Sequence, residues 1–450
     1  MTGRYKAYPE YKESEVEWLG TVPQDWPIHS LKRTVDRVTN GIWGSEPDSE
    51  NDLIVLRVAD FNRNQLNISD DKLTFRSIDP KDRSARLLKK GDLLIEKSGG
   101  GDKTLVGCVV LFDKEYPAVT SNFVAKMTPQ QGFDSSFLRY AFSKLYAGKV
   151  NFLSIKQTTG IQNLDSDAYL LESFAFPSFE EQQKIANFLD HETAKIDTLI
   201  TKQEKLIELL KEKRQAVISH AVTKGLNPNA PMKDSGVEWL GEVPEHWDIF
   251  RSKRLFPESK NRAPISDTQL SATQDYGVIS QKRFMQLAGR KVVQLNSNQE
   301  LRKKVQVGDF VISMRSFQGG LERAWEEGGI RSSYVVLKPS ELTNKDYFQY
   351  LFKSVRYIQA IQSTANFIRD GQDMNYQNFI LIDLPLPSLE EQKHIASFLR
   401  EHINQVDSLI GKAQKAILLM QERKTALISA AVTGKIDVRD WIASDEVTNG

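Results

Sequence analysis

The amino-acid sequence predicts an α+β chain in which two pseudo-repeated α/β globular domains are separated by two long antiparallel helices of coiled-coil type. Two internal repeats and one periodicity predict this fold. Residues 14–26 match 235–247 at nine of 13 positions, and residues 177–223 match 387–433 without a gap at 23 of 47. Both longer repeats carry an apolar stripe with three- and four-residue steps, which is typical of paired helices. The sequence therefore predicts the same lead-in and the same long helix twice, with a different segment between them in each copy.

The bulk properties narrow the class of protein. The 450 residues favour two to four domains, and the sequence has no run of about 18 apolar residues, so no membrane-spanning helix is expected. The polar N-terminus lacks the apolar stretch of a signal peptide. The single cysteine, Cys108, excludes an internal disulfide framework and predicts a cytoplasmic protein. A net charge of +1 does not exclude DNA binding, which depends on local basic patches.

The repeats divide the chain into seven predicted segments. These are a lead-in (1–26), a variable domain (27–176), a long helix (177–224), a linker with the second lead-in (225–247), a second variable domain (248–386), a second long helix (387–434) and a tail (435–450).

The lead-ins share the pattern W-L-G-x-V-P-x-x-W. Trp18 and Trp26 in the first copy correspond to Trp239 and Trp247 in the second. The tryptophans could stack on nucleic-acid bases. We favour the alternative that each lead-in is a packing clip that fixes where the chain enters the next domain.

The variable domains share short apolar segments. Leu53–Val58 is typical of a buried strand, and a Gly-Asp turn precedes an apolar run at both Gly91–Ile95 and Gly308–Ile312. Residues 121–125 and 332–336 form another predicted strand pair. Residues 137–142 and 347–352 predict a short apolar helix in each domain. Both domains are therefore expected to contain ordinary α/β cores.

Each long helix opens with a predicted capping box, formed by Ser178 with Glu181 and by Ser388 with Glu391. The apolar seam predicted for helix–helix packing consists of Leu189, Ile196, Leu199, Leu206, Leu210, Val217, Leu399, Val406, Leu409, Ala416, Met420 and Leu427. The two stripes have similar lengths, so the helices are expected to pair antiparallel. The alternative is that each helix packs separately on its own domain.

The loops of the variable domains carry the candidate DNA contacts. Basic and amide side chains reach base edges in the major groove, whereas hydroxyl groups more often contact phosphates. The candidates are Lys97, Ser98, Lys103, Lys156, Gln157, Thr158, Thr159, Gln162, Arg315, Gln318, Asn366, Arg369 and Gln372. For any one of them, a solvated loop residue without a DNA contact is the alternative.

Motifs for bond-making chemistry are missing from the sequence. In the Gly99–Thr104 run, Asp102 separates Gly101 from Lys103, whereas a phosphate-binding loop needs Gly directly before Lys. No Gly-x-Gly-x-x-Gly follows a predicted strand. Glu96 near Asp92 lacks the spacing of a nuclease cluster, and no Cys/His cluster has the spacing of metal ligands. We therefore predict no catalytic residue, no metal and no cofactor in this chain.

The ordered motifs resemble the specificity subunit of type I restriction–modification enzymes. The resemblance rests on VEWLGTVPQDW and VEWLGEVPEHW, on GDLLI and GDFVI, and on the helix openings FPSFEEQQKIANFL and LPSLEEQKHIASFL. The stretch 160–164 (GIQNL) also fits, and 371–374 is a looser version. The second variable segment is about eleven residues shorter than the first. The resemblance covers roughly residues 14–434.

The resemblance implies that the variable segments are target recognition domains, each reading one half of a bipartite double-stranded DNA site. It also implies that the helices set the gap between half-sites and hold two modification (methyltransferase) subunits. Restriction subunits, which are ATP-dependent translocases and nucleases, would complete the complex. The methyl donor and ATP would belong to those partners. Because the two recognition segments differ, we expect an asymmetric site rather than a palindrome.

Two other functions stay open at this stage. A catalytic DNA methyltransferase or nuclease is disfavoured by the missing motifs. A coiled-coil scaffold without DNA readout is compatible with the helices, but it leaves the variable loops unexplained.

Overall fold

A computed structural model describes residues 5–99, 104–158, 160–289, 299–313, 316–364 and 375–443. The chain forms two compact units. Unit 1 comprises 1–202 together with 416–450, and unit 2 comprises 203–415. Each unit therefore combines one recognition segment with one half of each long helix. The predicted α+β class and the predicted pair of long helices are confirmed.

Unit 1 is built from short strands. They are β1 Tyr11–Glu13, β2 Thr21–Pro23, β3 Ile28–Ser30, β4 Val35–Asn40, β5 Asp52–Leu56, β6 Phe61–Asn62, β7 Asn67–Ile68, β8 Phe75–Ser77, β9 Leu93–Glu96, β10 Ser98–Gly99, β11 Val109–Leu111, β12 Ala118–Thr120, β13 Val124–Pro129, β14 Ile155–Thr158, β15 Ile161–Leu164 and β16 Ser173–Ala175.

The core sheet of unit 1 is antiparallel, with the strand order β11-β9-β13-β4. A second sheet has the order β12-β5-β8, in which β12 and β5 are parallel. The strand predicted at 53–58 is β5. The strand predicted at 121–125 begins only at Val124, because Ser121 accepts a hydrogen bond from the Val124 amide across a turn. The Gly-Asp turn at Gly91 precedes β9, as predicted.

The helices of unit 1 are α1 Pro80–Arg86, α2 Ser135–Ala147, α3 Ser166–Tyr169 and the first half of α4 Phe179–Lys224. The apolar residues 137–142 lie within α2, whose N-terminus Asp134 caps by accepting from the Phe137 amide at 2.8 Å. This helix packs into the main core of unit 1 beside Ile185 and Leu189 of α4. The recognition segment and the long helix therefore share one hydrophobic core.

The strands of unit 2 are β17 Met232–Asp234, β18 Glu242–Pro244, β19 Asp248–Arg251, β20 Glu258–Ser259, β21 Leu270–Thr273, β22 Gly277–Ser280, β23 Lys303–Val305, β24 Phe310–Ile312, β25 Glu322–Arg323, β26 Gly328–Ile330, β27 Val335–Leu337 and β28 Asp383–Leu386. Its helices are α5 Ser252–Leu255, α6 Gln281–Ala288, α7 Ser316–Gly319, α8 Lys345–Lys353, α9 Val355–Ser363, α10 Tyr376–Ile380 and part of α11 Leu389–Val432.

The core of unit 2 repeats the central pairing of unit 1. Strand β24 pairs antiparallel with β27, at positions equivalent to those of β9 and β13. The predicted second helix is α8, and the strand predicted at 332–336 begins at Val335. Phe256 lies at the centre of this core, with ring centroids 4.8–5.6 Å from Phe310, Phe348 and Phe352.

Both long helices begin at the predicted serines. The Ser178 hydroxyl accepts from the Glu181 amide at 3.3 Å, and the Ser388 hydroxyl accepts from the Glu391 amide at 3.2 Å. The two glutamates contact the lead-ins. Glu181 accepts from the Tyr8 hydroxyl at 2.6 Å, and Glu391 lies 2.9 Å from the His246 ring. Each helix start is therefore attached to the lead-in of its own unit.

The two long helices run antiparallel within each unit. In unit 1, Asp197 of α4 pairs with Lys424 of α11, whereas Lys184 reaches the later residue Arg439. In unit 2, Arg214 of α4 pairs with Asp407 of α11. The paired arrangement is thus confirmed over the independent packing of each helix.

The apolar seam is only partly buried. Leu189, Ile196, Leu399, Val406 and Leu427 are buried, as predicted. Leu210, Val217, Ala416 and Met420 are half-buried. The continuous seam is wrong at three positions, since Leu199, Leu206 and Leu409 are 43–50% exposed. The heptad pattern identifies residues that share a face, but burial also requires a neighbouring element on that face.

The lead-ins are packing clips, as expected. Trp26 and Trp247 are fully buried in the cores of units 1 and 2. Trp18 stacks on Phe174 at 6.0 Å, and the Trp239 indole donates to the Asp383 carbonyl at 3.1 Å. These four side chains anchor the chain where it enters each recognition segment.

The C-terminal tail completes the clip of unit 1. Ile436 and Val438 are buried in the core of that unit, and Lys6 forms a β-bridge with Asp437. The Trp441 ring lies 5.4 Å from the Phe188 ring of α4. The first lead-in and the tail are therefore held on the same helix.

Candidate nucleic-acid interface

A small sheet gathers the predicted DNA contacts of unit 1. Strand β15 lies between β10 and β14, so that Ser98 is opposite Asn163 and Gln157 is opposite Gln162. Lys97 immediately precedes β10, and Lys156 lies in β14. Loops about 60 residues apart in the sequence thus meet on one surface.

Hydrogen bonds hold the polar side chains of this sheet in place. Lys97 Nζ donates to Asn40 Oδ1 at 2.7 Å, and the Ser98 hydroxyl donates to Asn163 Oδ1 at 2.6 Å. Because its Oδ1 is occupied, Asn163 has its Nδ2 amide for an outside acceptor. Preorganised donors of this kind lose little side-chain entropy on binding.

Lys156 is the exposed cation of the sheet. Its Nζ donates to Asp165 Oδ2 at 2.9 Å, and this hydrogen bond to the carboxylate raises the pKa of the lysine. A DNA phosphate would have to compete with Asp165 for the ammonium. Gln157, next to it, is also exposed.

Gln162 has a structural role, and its prediction as a DNA contact is wrong. The side chain is only 5% exposed, and its Oε1 accepts from the Val106 amide at 3.1 Å. Burial alternates along β15, with Ile161 and Asn163 exposed and Gln162 and Leu164 buried. The two-residue period of a strand could have revealed this, because it puts Gln162 on the side of Leu164.

The remaining candidates are less well placed by the structure. Gln318 is exposed on α7. Thr158 ends β14, and its side chain is not described. Six candidates lie outside the described residues, namely Lys103, Thr159, Arg315, Asn366, Arg369 and Gln372.

Three residues of this surface in unit 1 are not among the contacts predicted from the sequence. Asn40 ends β4 and accepts from Lys97, and Asn163 lies within the GIQNL stretch. Phe123 is also exposed, and its carbonyl accepts from the Lys97 and Ser98 amides. The sequence predicts a strand at 121–125, whereas the turn before β13 leaves the ring of Phe123 outside the core.

The carboxylates near this sheet serve the fold. Glu96 is buried and lies 2.7 Å from the Arg63 guanidinium. Burial raises its pKa, an effect that Arg63 opposes. Asp92 accepts from the Lys89 amide at 2.8 Å and from the Thr128 hydroxyl at 3.0 Å. Both are therefore engaged in structural contacts.

Within the described ranges of the chain, no cluster of three or more His, Cys, Asp or Glu side chains could hold a metal ion. In the same part of the chain, no helix is both long and apolar enough to cross a membrane.

The sequence matches a known family in both units. Residues 51–209 and 244–418 match the family described as the type I restriction modification DNA specificity domain. The chain is 22% identical over 438 residues to the putative type I restriction enzyme MjaX specificity subunit of Methanocaldococcus jannaschii, covering 95% of this chain and 97% of that protein. It is 21% identical to the EcoKI specificity subunit of Escherichia coli, covering 95% and 92%.

Two solved structures share the fold. One comes from a study of complex assembly and conformational transition of the type I R-M system, with a TM-score of 0.67, 14% identity, and coverage of 92% of this chain and 99% of that one. The other is the HsdS subunit from Thermoanaerobacter tengcongensis, with a TM-score of 0.53, 13% identity, and coverage of 92% and 98%. With two family matches that span most of its length, this chain belongs to the type I restriction–modification DNA specificity family.

Proposed function

We propose that this chain is the non-catalytic subunit that gives a type I restriction–modification complex its DNA sequence specificity. Each recognition domain reads one half of an asymmetric bipartite target. The observation that carries the proposal is the contrast between the repeated frame and the unlike surfaces on it. Before its core strand β9, unit 1 has β5, the hairpin β6-β7, β8 and α1, whereas before the equivalent strand β24 unit 2 has the hairpin β21-β22, α6 and β23.

Support for DNA contact comes from the side chains of the β10-β15-β14 sheet in unit 1. Lys156, Gln157 and Asn163 are exposed, and Lys97 is partly exposed beside them. Their strands are held by the buried Gln162, and Ser98 and Asn40 orient two of the side chains. A rigid strand surface with amide and ammonium donors suits reading of base edges flanked by phosphates.

The long helices are expected to set the spacer between half-sites and to dock two modification subunits, and restriction subunits join the assembly. The methyl donor and ATP are expected on those partners. Exposed leucines at matching positions of the two halves support two copies of one partner. Leu199 and Leu409, at equivalent positions of the repeat, are 50% and 48% exposed, and Leu171 and Leu381, which have the same 210-residue offset just before it, are 64% and 66% exposed.

Methylome sequencing tests the proposal. A host carrying this chain with its modification subunit should gain methylation at one motif, made of two unlike half-sites with a fixed spacer. A palindromic motif would contradict the asymmetric reading. Methylation or cleavage by the purified chain alone would favour a catalytic methyltransferase or nuclease. A complex that binds its motif no better than random DNA in a gel shift would favour a scaffold.

A second experiment tests the helices as the spacer device. Inserting seven residues into α4 preserves the heptad phase while lengthening the helix by about 10 Å at 1.5 Å per residue. We expect the methylated motif to change its spacer and keep both half-sites. Altered half-sites with the original spacer would contradict this role.

A further inference from the structure

Lys424 joins three elements of unit 1. Its Nζ lies 2.7 Å from each carboxylate oxygen of Asp197 on α4. It also donates to the Asn64 carbonyl at 2.7 Å. Asn64 lies in the turn between β6 and β7, which belongs to the first recognition domain. An ammonium has three donors, and all three are used here.

Lys424 and its two partners lie at the edge of a cleft. Together with other residues they line this cleft of about 590 Å³ between the β6-β7 turn, α2 and the two long helices. Close packing fixes the angle between two elements wherever their side chains interlock. Across this cleft, at the edge of the shared core, the side chains do not interlock, so the β6-β7 turn is tied to the helices by the directional bonds that span the cleft. Lys424 spans it, and its side chain is only 12% exposed.

The equivalent pair in unit 2 is looser. Arg214 and Asp407 occupy the positions of Lys424 and Asp197 in the repeat, 210 residues apart. Arg214 Nη1 lies 3.5 Å from Asp407 Oδ1, and among the described residues Arg214 Nε has no hydrogen-bond partner. An ion pair between the two long helices is therefore common to both units. Among the described residues, only the cation of unit 1, Lys424, also donates to a turn of its recognition domain.

We propose that Lys424 is a positioning residue that holds the first recognition domain at one tilt on the helix pair and thereby restricts the protein to one spacer length. The inference rests on the proposed function. A spacer longer by one base pair moves a half-site by about 3.4 Å and turns it by about 35°. To bind the displaced half-site, the recognition domain must rotate about its core contacts with the helices. A swing of that size breaks the bond between Lys424 and Asn64, since a hydrogen bond is lost beyond about 3.5 Å.

The test uses the complex of the full chain with its modification subunits. The substrates carry the two half-sites at the native spacer and at spacers one base pair shorter and longer. Methylation of each is measured by sequencing. Lys424→Met should raise methylation at the altered spacers relative to the native spacer by about tenfold, the equivalent of one charge-assisted hydrogen bond. The preferred bases in both half-sites should stay unchanged.

Three further variants separate positioning from stability. Lys424→Arg should retain the native selectivity, because a guanidinium can donate to both partners. The double variant Asp197→Lys with Lys424→Asp restores an ion pair between the helices but cannot donate from position 424 to Asn64, so it should relax the spacer while remaining folded. Arg214→Met is the matched control in unit 2 and should leave spacer selectivity unchanged.

The outcomes are distinct. Unchanged spacer selectivity in Lys424→Met or in the double variant would overturn the inference, and so would an equal relaxation in Arg214→Met. If Lys424→Met does not fold, the double variant decides. Should the unaltered complex methylate no bipartite site, the proposed function fails before this inference is reached.

Discussion

Arg400 on α11 donates to Asp346 of the second recognition domain, with Nη2 2.8 Å from Oδ2. The same junction in unit 1 has the opposite polarity. There the recognition domain supplies the cation, Arg139, and α4 supplies the anion, Asp190. Asp190 and Arg400 are equivalent positions of the repeat, 210 residues apart. Each recognition domain is thus matched in charge to its own helix.

This polarity predicts which charge reversals are tolerated. Asp190→Arg places a second cation against Arg139, which is largely buried, and should lower the free energy of unfolding of the chain by about 2 kcal/mol. Adding Arg139→Asp restores an ion pair with the polarity of unit 2 and should recover most of the loss. Urea titration of the purified chain measures both. Asp36→Arg, at an exposed carboxylate of the same unit, is the control. A double variant no more stable than Asp190→Arg would contradict the matching.

Asn163 should read one base position. Its Oδ1 is engaged by Ser98, so its Nδ2 amide is left to donate to a base acceptor in the major groove. Asn163→Ala should therefore relax one position of one half-site by about tenfold or more, as expected for loss of one base contact. Methylome sequencing of the variant measures this, with the spacer and the other half-site expected to be unaltered.

The control for Asn163 is Asn187→Ala, at an exposed amide on α4. It should leave the methylated motif intact. An unchanged motif in Asn163→Ala, or a uniform loss at every position, would show that Asn163 does not read a base.

Glu322 should make the stability of unit 2 depend on pH. Burial raises the pKa of this carboxyl to about 7, and Lys353, at 2.6 Å, partly opposes the rise. An unfolded glutamate loses its proton near pH 4.5. Between these values the folded state binds more protons, so stability from this group is fully present below about pH 4.5 and is lost as the pH rises to about 7.

Glu322→Gln removes this dependence. The difference between the melting temperature of the variant and that of the unaltered chain should increase by about 5 °C from pH 5 to pH 7.5. Glu341→Gln, at an exposed carboxylate of unit 2, should follow the unaltered chain throughout. Parallel melting curves for Glu322→Gln and the unaltered chain across this range would contradict the expected titration.

Leu199 and Leu409 should each dock one modification subunit. Leu199→Glu puts a charge on an apolar surface that is already half-exposed, so it should cost little stability and weaken one docking site. Native mass spectrometry should find one modification subunit with either single variant and none with the double variant. Thr201→Glu, two residues along and therefore about 200° around the helix, should retain both subunits. Two bound subunits in the double variant would contradict the prediction.

Local signals in the sequence were reliable. The serine caps, the proline-free stretches that follow them and the Gly-Asp turns predicted α4, α11, β9 and β24, because each depends on neighbours within a few residues. The duplication itself also predicted a pair of similar cores. The heptad pattern was less informative, since it marked Leu199 and Leu409 as apolar without showing that part of that face lacks a cover.

The repeated elements of this protein follow from its amino-acid sequence: the two capped helices, the lead-in clips, the core turns and the family to which they belong. Tertiary structure decided the use of individual polar groups. It turned Gln162 inward to the Val106 amide and Glu181 to Tyr8, and it brought Lys424 to a carbonyl 360 residues away in the chain. The two kinds of contact differ in the sequence separation between their partners. Caps and turns form from neighbouring residues, whereas these contacts exist only once the recognition domain has packed on the helices.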